Sequence, residues 1–107
     1  MNTPLDLMFW AVRDTKKGSD MYGSCEVCKH DTSRVYFAEK QRVWRHSDGH
    51  HYLSPVGGGT YGHMDCLISA HGKLWDMEQF KRDGKSARLV SDDQLTVLTR
   101  ALIGAKT

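Results

Sequence analysis

Apolar residues recur with a helical period near the start of the chain. After Thr3 and Pro4, spacings of i, i+3, i+4 and i+7 are occupied by Leu5, Met8, Phe9 and Val12. This spacing gives a helix one apolar face. A hydroxyl cap, a proline at the first helical position and Asp6 in the first turn are typical of a helix start. The pattern therefore predicts an N-terminal helix over residues 4–17, ending at Gly18.

A second helical pattern lies near the other end of the chain. Residues 91–94, Ser-Asp-Asp-Gln, have the form of a capping box. Apolar residues follow at helical spacing: Leu95, Leu98 and Leu102, with Val97 and Ala101 beside them. We expect this helix to end near Gly104. Lys73–Arg82, with four apolar residues, predicts a shorter helix, and 86–90 could form a strand. Residues 73–107 are thus predicted to be a C-terminal helical segment.

The middle of the chain has a different pattern. Two short runs rich in β-formers, residues 34–38 and 42–44, are divided by Glu39-Lys40-Gln41 and predict a β-hairpin. Residues 46–62 are polar and contain Pro55 and three successive glycines, which predicts an irregular loop. Residues 62–70 then predict the opening of a short helix that ends near Gly72.

Length and composition indicate one globular domain over residues 1–107. Hydrophobic residues make up 39% and charged residues 26% of the 107 positions, an ordinary globular balance. Neither a basic region leading into an apolar stretch nor a run of 18 apolar residues is present, so we expect no signal peptide and no membrane span. A cytoplasmic location is predicted. In a reducing compartment, the three cysteines favour metal ligation over disulfides.

Two pairs of residues have the spacing of metal ligands. Cys25 and Cys28 are separated by two residues in a predicted turn, and His63 and Cys66 would share the first turn of a predicted helix. Together they predict a tetrahedral site for one structural Zn²⁺. The alternatives are a redox-active dithiol at residues 25–28 or buried thiols that have no functional role. The histidine ligand could, instead of His63, be His50, His51 or His71.

The order Cys-x₂-Cys, hairpin, His-x₂-Cys resembles treble-clef-type zinc fingers over residues 22–72. The resemblance extends in particular to LIM fingers and to the DNA-break-sensing finger of poly(ADP-ribose) polymerases. It implies an α+β fold: a small zinc-stabilised treble-clef-like domain with a β-hairpin, flanked here by N- and C-terminal helices. In the polymerase finger, basic and apolar residues of the hairpin contact DNA. The matching kinds of residue here are Arg34, Arg42, Trp44 and Arg45.

The charge of the chain does not by itself select a partner. Fifteen Lys and Arg against thirteen Asp and Glu give a net charge of +2, but residues 34–45 are locally basic. We predict a non-catalytic binding module that contacts nucleic acid, its first predicted partner, through the basic hairpin and the Gly-rich loop. The predicted contact residues are Arg34, Lys40, Arg42, Trp44, Arg45, His50 and His51. The alternative is a protein partner, as for a phage- or plasmid-type accessory or inhibitor protein that binds a host protein. No small-molecule substrate and no membrane partner are expected.

The segment from Asp48 to Gly58 resembles HNH endonucleases in its two histidines, following proline and paired glycines. That resemblance implies a metal-dependent nuclease in which a histidine activates water. An acid and His71 would hold a divalent ion that stabilises the leaving phosphate. No asparagine occupies the middle position of the motif. Catalysis is therefore the second alternative to the binding module.

Overall fold

The computed structural model describes residues 2–84 and 87–102, which form a mixed α+β structure. Three helices are present in this part of the chain: α1 (Ser19–Tyr22), α2 (Met64–His71) and α3 (Asp92–Leu102). A single 3₁₀ turn covers Met77–Gln79. The strands are β1 (Thr3–Asp14), β2 (Tyr36–Arg45), β3 (His51–Pro55), β4 (Thr60–Gly62), β5 (Leu74–Asp76), β6 (Lys81–Asp83) and β7 (Ala87–Val90). The α+β part of the predicted fold class is confirmed.

The described strands follow the order β5-β1-β2-β3-β7-β6, and β4 also pairs with β2. The chain divides into two compact units. The terminal unit comprises the chain up to Phe9, Gln41–Val56 and the chain from Glu78 onward. The cysteine unit comprises Trp10–Lys40 and Gly57–Met77. Strands β1 and β2 each contribute residues to both units. The prediction of a single domain over residues 1–107 stays a prediction.

In the terminal unit, β2, β3, β7 and β6 pair antiparallel in that order. Val43 lies opposite Leu53, which in turn lies opposite Arg88, so these side chains share one face of the sheet. Arg88 is buried, and its guanidinium donates to the carbonyl of Phe80 at 2.9 Å and to Glu78 at 3.2 Å. These bonds satisfy a charge that would be costly to bury alone. The buried apolar residues of this unit are Leu7, Phe9, Val43, Leu53, Phe80, Val90 and Leu98.

In the cysteine unit, the remaining parts of β1 and β2 carry a second small core. Trp10 pairs with Leu74 in the parallel β1–β5 ladder, and Tyr36 pairs with Gly62 in the antiparallel β2–β4 ladder. The apolar residues of α2 pack onto these strands. The cluster consists of Val12, Ala38 and Leu67, with Trp10, Tyr36, Met64 and Leu74 packed against it.

Two helix predictions are confirmed. Helix α2 begins at Met64 and ends at His71, and its C-cap Gly72 has a φ of +81°, a backbone conformation that glycine adopts without strain. Helix α3 begins after a reciprocal capping box: the Gln94 N–H donates to Ser91 Oγ at 3.1 Å, and the Ser91 N–H donates to Gln94 Oε1 at 2.9 Å. The predicted end near Gly104 and the strand start at Ser86 lie outside the described residues.

The predicted N-terminal helix over residues 4–17 is wrong, because this segment is strand β1. Its sequence supports two periods at once. In the strand, every second side chain points to the buried face, which buries Leu7, Phe9 and Ala11. The predicted helix would instead have buried the apolar residues spaced at i, i+3, i+4 and i+7. Pairing with neighbouring strands satisfies the backbone and buries this alternating face, so tertiary contacts decide the outcome.

Three further predictions are corrected. Lys73–Arg82 is not a helix but β5, the 3₁₀ turn and the start of β6, with Phe80 buried between them. The predicted hairpin turn at residues 39–41 is part of the continuous strand β2. The chain turns instead between β2 and β3, where the His46 N–H donates to the His50 carbonyl at 2.9 Å. The predicted irregular loop over 46–62 therefore contains β3 and β4, because both find antiparallel partners in β2.

Candidate metal centre

The first ligand pair lies in a tight turn that precedes β2. The Lys29 N–H donates to the Cys25 carbonyl at 2.8 Å, and the Cys25 N–H donates to the His30 carbonyl at 2.9 Å. Lys29 has a φ of +68°, the left-handed conformation that lets the chain reverse. Cys25 is fully buried and Cys28 is half-buried. The turn therefore directs both sulfur atoms to the same place.

The second pair lies at the start of α2. His63 is the extended N-cap residue, with φ −68° and ψ 145°, and its carbonyl accepts from the Leu67 N–H at 3.0 Å. Cys66 follows in the first helical turn. Residues three apart at a helix start share one side, so the imidazole and the thiol converge.

Strand β4 holds the two pairs together. The Glu26 N–H donates to the Tyr61 carbonyl at 2.9 Å, and the Tyr61 N–H donates to Glu26 Oε1 at 2.6 Å. This reciprocal pair fixes the cysteine turn against β4. Gly62 follows, and a Cβ at that position would collide with Cys25 Sγ. The close approach of backbone and sulfur at this point requires glycine.

The geometry of the four donors fits a tetrahedral metal ion. The donor atoms of Cys25, Cys28, His63 and Cys66 all lie within 4.8 Å of one another. His63 Nδ1 lies 3.4 Å from Cys28 Sγ and 3.8 Å from Cys66 Sγ. Ligands at zinc–sulfur and zinc–nitrogen bond lengths stand about 3.5–3.8 Å apart in a tetrahedron. The cluster is consistent with one zinc ion, and its three thiols and one imidazole are the donor set of structural zinc sites.

The surroundings of the cluster shift the pKa values of Cys25 and Cys66 in opposite directions. Burial raises the pKa of Cys25, but backbone N–H groups of Cys28 and His63 donate to its sulfur and together lower the pKa to about 5. Burial, together with hydrogen bonds and charge repulsion involving Cys25 and Cys28, raises the pKa of Cys66 to about 11. When no cation is bound, a second thiolate beside the first is therefore unfavourable. A divalent ion removes that penalty, since it attracts each thiolate.

His63, and none of its three proposed substitutes, lies in the donor cluster. The His71 ring stacks on Trp10 with 3.7 Å between ring centroids, and its Nε2 lies 3.0 Å from Thr60 Oγ1. Within residues 2–84 and 87–102, this cluster is the one group of three or more histidine, cysteine or acidic side chains with such close donor atoms.

The seven predicted contact residues lie in both units, and their role in binding stays a prediction. Arg34 and Lys40 belong to the cysteine unit, where Arg34 is exposed and paired with Asp14 at 3.1 Å. The other five belong to the terminal unit. Of these, Arg42 and Trp44 share one face of β2 and Arg45 has the opposite face, because side chains alternate along a strand. Arg45 lies opposite His51 on β3, and His50 is exposed in the turn.

The structure adds two features that sequence reasoning missed. Tyr52 lies directly opposite Trp44, which the misplaced hairpin turn concealed. A cavity of about 350 Å³ lies in the terminal unit beside the β2–β3 turn. In the sequence, the indication of this cavity was a basic residue at the end of a strand, followed by the polar turn at residues 46–50. The other side of the cavity is formed by β1, a segment that was predicted to be a helix. The lining residues are Thr3, Leu5, Arg45, His46, Ser47 and Gly49.

A scan against models of known protein families gave no match, and searches of curated proteins and of solved structures found no significantly similar chain. Among the helices in the described part of the chain, none is long and apolar enough to cross a membrane.

Proposed function

We propose that this protein is a non-catalytic binding module whose fold depends on one structural zinc ion. The observation that carries the proposal is the convergence of three thiols and one imidazole from two distant segments of the chain. Four protein ligands complete a tetrahedron and leave no open position for a substrate or for water. The ion's contribution is therefore to hold the turn at residues 25–28 against the start of α2.

A treble-clef-like arrangement is part of this proposal. A cysteine turn, the strand β2, the returning strand β4 and a helix that begins with the second ligand pair follow one another in the cysteine unit. This order supports the resemblance to treble-clef fingers. The departure is the chain between β2 and β4, which contains β3 and whose residues 46–56 belong to the terminal unit together with the end of β2.

Single-stranded nucleic acid is the partner that we propose for the terminal unit. Residues directly opposite one another in antiparallel strands share a face. Trp44 lies opposite Tyr52, Tyr52 opposite Leu89, and Leu89 opposite Lys81. We call these four residues the aromatic row. Trp44, Tyr52 and Leu89 are half-buried and Lys81 is exposed, so their rings and charge are partly accessible to a ligand.

The chemistry of the row suits unpaired bases and phosphates. Aromatic rings on a sheet provide stacking surfaces for bases, and neighbouring cations attract the backbone. Lys81 supplies one cation at the end of the row. Arg42, two residues before Trp44 on β2, supplies a second on the same face.

A protein partner remains the second candidate, because the cysteine unit exposes apolar side chains. Met21 and Val27 are 67% and 41% exposed, and Tyr22 is also exposed. The Tyr22 ring stacks on Tyr61 at 5.1 Å, which brings α1 close to the cysteine turn. Exposed apolar residues around a rigid turn are typical of protein contacts. A phage- or plasmid-type accessory protein that docks on a host protein would use this surface.

The zinc proposal is tested by a pair of histidine variants. His63→Ala removes a donor, whereas His30→Ala removes an exposed histidine near the cysteine turn and keeps the backbone carbonyl that Cys25 uses. Native mass spectrometry should find one zinc in the parent chain and in His30→Ala, and none in His63→Ala. Cooperative unfolding should be lost together with the metal. A His63→Ala protein that retains stoichiometric zinc would overturn the proposed ligand set.

The partner proposal is tested by a second pair of variants. Lys81→Gln and Arg100→Gln each remove one exposed positive charge from the terminal unit, but only Lys81 belongs to the aromatic row. Anisotropy of a labelled single-stranded oligonucleotide should show weaker binding for Lys81→Gln alone. Trp44→Leu should weaken binding about tenfold, since a stacking platform is lost. Affinity should also fall as salt rises. Unchanged binding in Lys81→Gln and Trp44→Leu, or salt-insensitive capture of a protein alone, would favour the second candidate.

A further inference from the structure

The cavity beside the β2–β3 turn is assembled from two separate parts of the chain. Thr3 and Leu5 of β1 line one side, and the end of β2 with the following turn lines the other. Its volume of about 350 Å³ lies within the range of pockets that bind small molecules. The cavity lies entirely within the terminal unit and is separate from the zinc ligands.

The polar groups that line this cavity are mostly potential donors. Arg45 contributes a guanidinium, His46 an imidazole, and Thr3 and Ser47 contribute hydroxyl groups. None of the lining residues in the described part of the chain is acidic. Asp48, the acid of the turn, instead accepts the His50 N–H at 2.9 Å. The lining therefore favours an anion, and the guanidinium can donate two parallel bonds to phosphate oxygens.

The turn that lines one side of the cavity is held in place before any ligand binds. The Gly49 N–H donates to the His46 carbonyl at 3.0 Å, and Gly49 has a φ of +89° that closes the turn. The His46 ring packs on Tyr52 with 4.2 Å between centroids. The Ser47 N–H points to Asn2 Oδ1 at 3.4 Å, which ties the turn to the start of β1. Such preorganisation lowers the entropy lost on binding.

We propose that this cavity binds a phosphate monoester. Arg45 pairs with the phosphate oxygens, His46 and the hydroxyl groups of Thr3 and Ser47 donate further bonds, and the remaining volume with Leu5 accommodates part of the attached sugar. The phosphate belongs either to a free nucleotide or to the end of a polynucleotide. Only the second source rests on the proposed nucleic-acid partner; the cavity and its phosphate chemistry do not depend on it.

The experiment uses the full zinc-loaded chain and five probes. Inorganic phosphate, adenosine monophosphate, adenosine and a pair of identical oligonucleotides with and without a 5′ phosphate are titrated by calorimetry and by amide chemical shifts. Adenosine monophosphate should bind more tightly than adenosine and shift the amides of residues 45–49. Tighter binding of the phosphorylated oligonucleotide than of the monophosphate identifies a polynucleotide end as the source, and the reverse order identifies a free nucleotide.

A matched pair of variants locates the site. Arg45→Gln and Arg100→Gln each remove one exposed arginine charge from the terminal unit, and only Arg45 lines the cavity. Arg45→Gln should weaken monophosphate binding at least about tenfold, the cost of losing a charge-assisted contact. Arg100→Gln should bind within about twofold of the parent chain, since single surface charges contribute little. Zinc content and unfolding midpoint should be the same in both variants.

Three results would overturn the proposal: equal affinity for adenosine and its monophosphate, equal weakening in the two variants, or shifts confined to amides outside the cavity lining. The proposed nucleic-acid partner fails separately. If the monophosphate binds through Arg45 while neither oligonucleotide binds, the phosphate site stands and the polynucleotide partner is excluded. If oligonucleotide binding depends on Lys81 and Trp44 but phosphate has no effect, the phosphate site is excluded and the nucleic-acid partner stands.

Discussion

At Gly62 the backbone lies close to the donor cluster. This glycine is buried at the end of β4, directly before His63, and an added Cβ would overlap Cys25 Sγ. Gly62→Ala should therefore displace the Cys25 sulfur and weaken zinc binding. Gly58→Ala is the control, since a Cβ there meets nothing within 4 Å. Competition with a chromophoric chelator should show zinc released more readily from Gly62→Ala than from Gly58→Ala. Equal retention in both would mean that the turn relaxes around the added methyl group.

The Tyr52 hydroxyl donates to Asp83 Oδ2 at 3.0 Å, and this bond, with burial and the charge of Asp83, raises the pKa of Tyr52. The neutral phenol is the form that the folded state favours. The contribution to stability is therefore fully present below the unfolded-state pKa of about 10 and is lost as pH rises through the higher folded-state value.

An alkaline titration tests this linkage. Asp83→Ala should lower the pKa of Tyr52, and ultraviolet absorbance should show one tyrosine ionising at lower pH than in the parent chain. Asp93→Ala removes an exposed acid from α3 and should leave the titration unchanged. If the two variants titrate alike, the Tyr52–Asp83 bond has no effect on the ionisation of Tyr52 in solution.

At this scale, the donor cluster could be predicted from the sequence and the cavity beside the β2–β3 turn could not. Each ligand pair is local: Cys25 and Cys28 share a turn, and His63 and Cys66 share the start of a helix. Local spacing is visible in sequence. The cavity instead combines Arg45 with Thr3, and their proximity depends on strand positions that no short window of sequence contains.

At the scale of elements, β1 illustrates how two periods can coexist. Residues 5–12 are mostly apolar, so both a helical and an alternating subset are available. The segment forms a strand of 12 residues because pairing with neighbouring strands satisfies its backbone groups and buries Leu7, Phe9 and Ala11. The predicted hairpin failed for a related reason: polar residues 39–41 resemble a turn, but Gln41 is buried in the sheet. Helix α2 and the start of α3 were predictable, because capping and termination signals act within a few residues.

The capping box of α3 gives a quantitative prediction. Ser91→Ala removes the oxygen that accepts the Gln94 N–H and should destabilise the protein by about 0.5–2 kcal/mol. Ser91→Asp keeps an acceptor at a favoured cap position and should unfold near the parent midpoint. Urea unfolding of the zinc-loaded proteins compares the three. A loss for Ser91→Asp as large as for Ser91→Ala would show that the hydroxyl, rather than an acceptor, is required.

At the scale of the whole molecule, the binding module and the nuclease alternative differ in a simple assay. The nuclease reading needs His50 or His51 as a base and His71 as a ligand, yet His71 already contacts Trp10 and Thr60. Zinc-loaded protein supplied with magnesium or manganese should therefore leave plasmid DNA intact. The double variant His50→Ala/His51→Ala should retain its zinc. Metal-dependent nicking that disappears in the double variant would make the protein an enzyme.

A much shorter polypeptide should carry the entire donor cluster. Ala38 and Thr60 are paired in the β2–β4 ladder, so the two ends of the segment 39–59 lie next to each other. An Asn-Gly turn could join residues 10–38 directly to 60–77 as a two-residue hairpin. This miniature keeps all four donors and the Val12–Ala38–Leu67 cluster but has little other core. Circular dichroism should show it unfolded without zinc and folded with one equivalent, since a chain this small relies on its metal. A miniature that binds zinc without gaining structure would show that the excised residues are needed to form the fold.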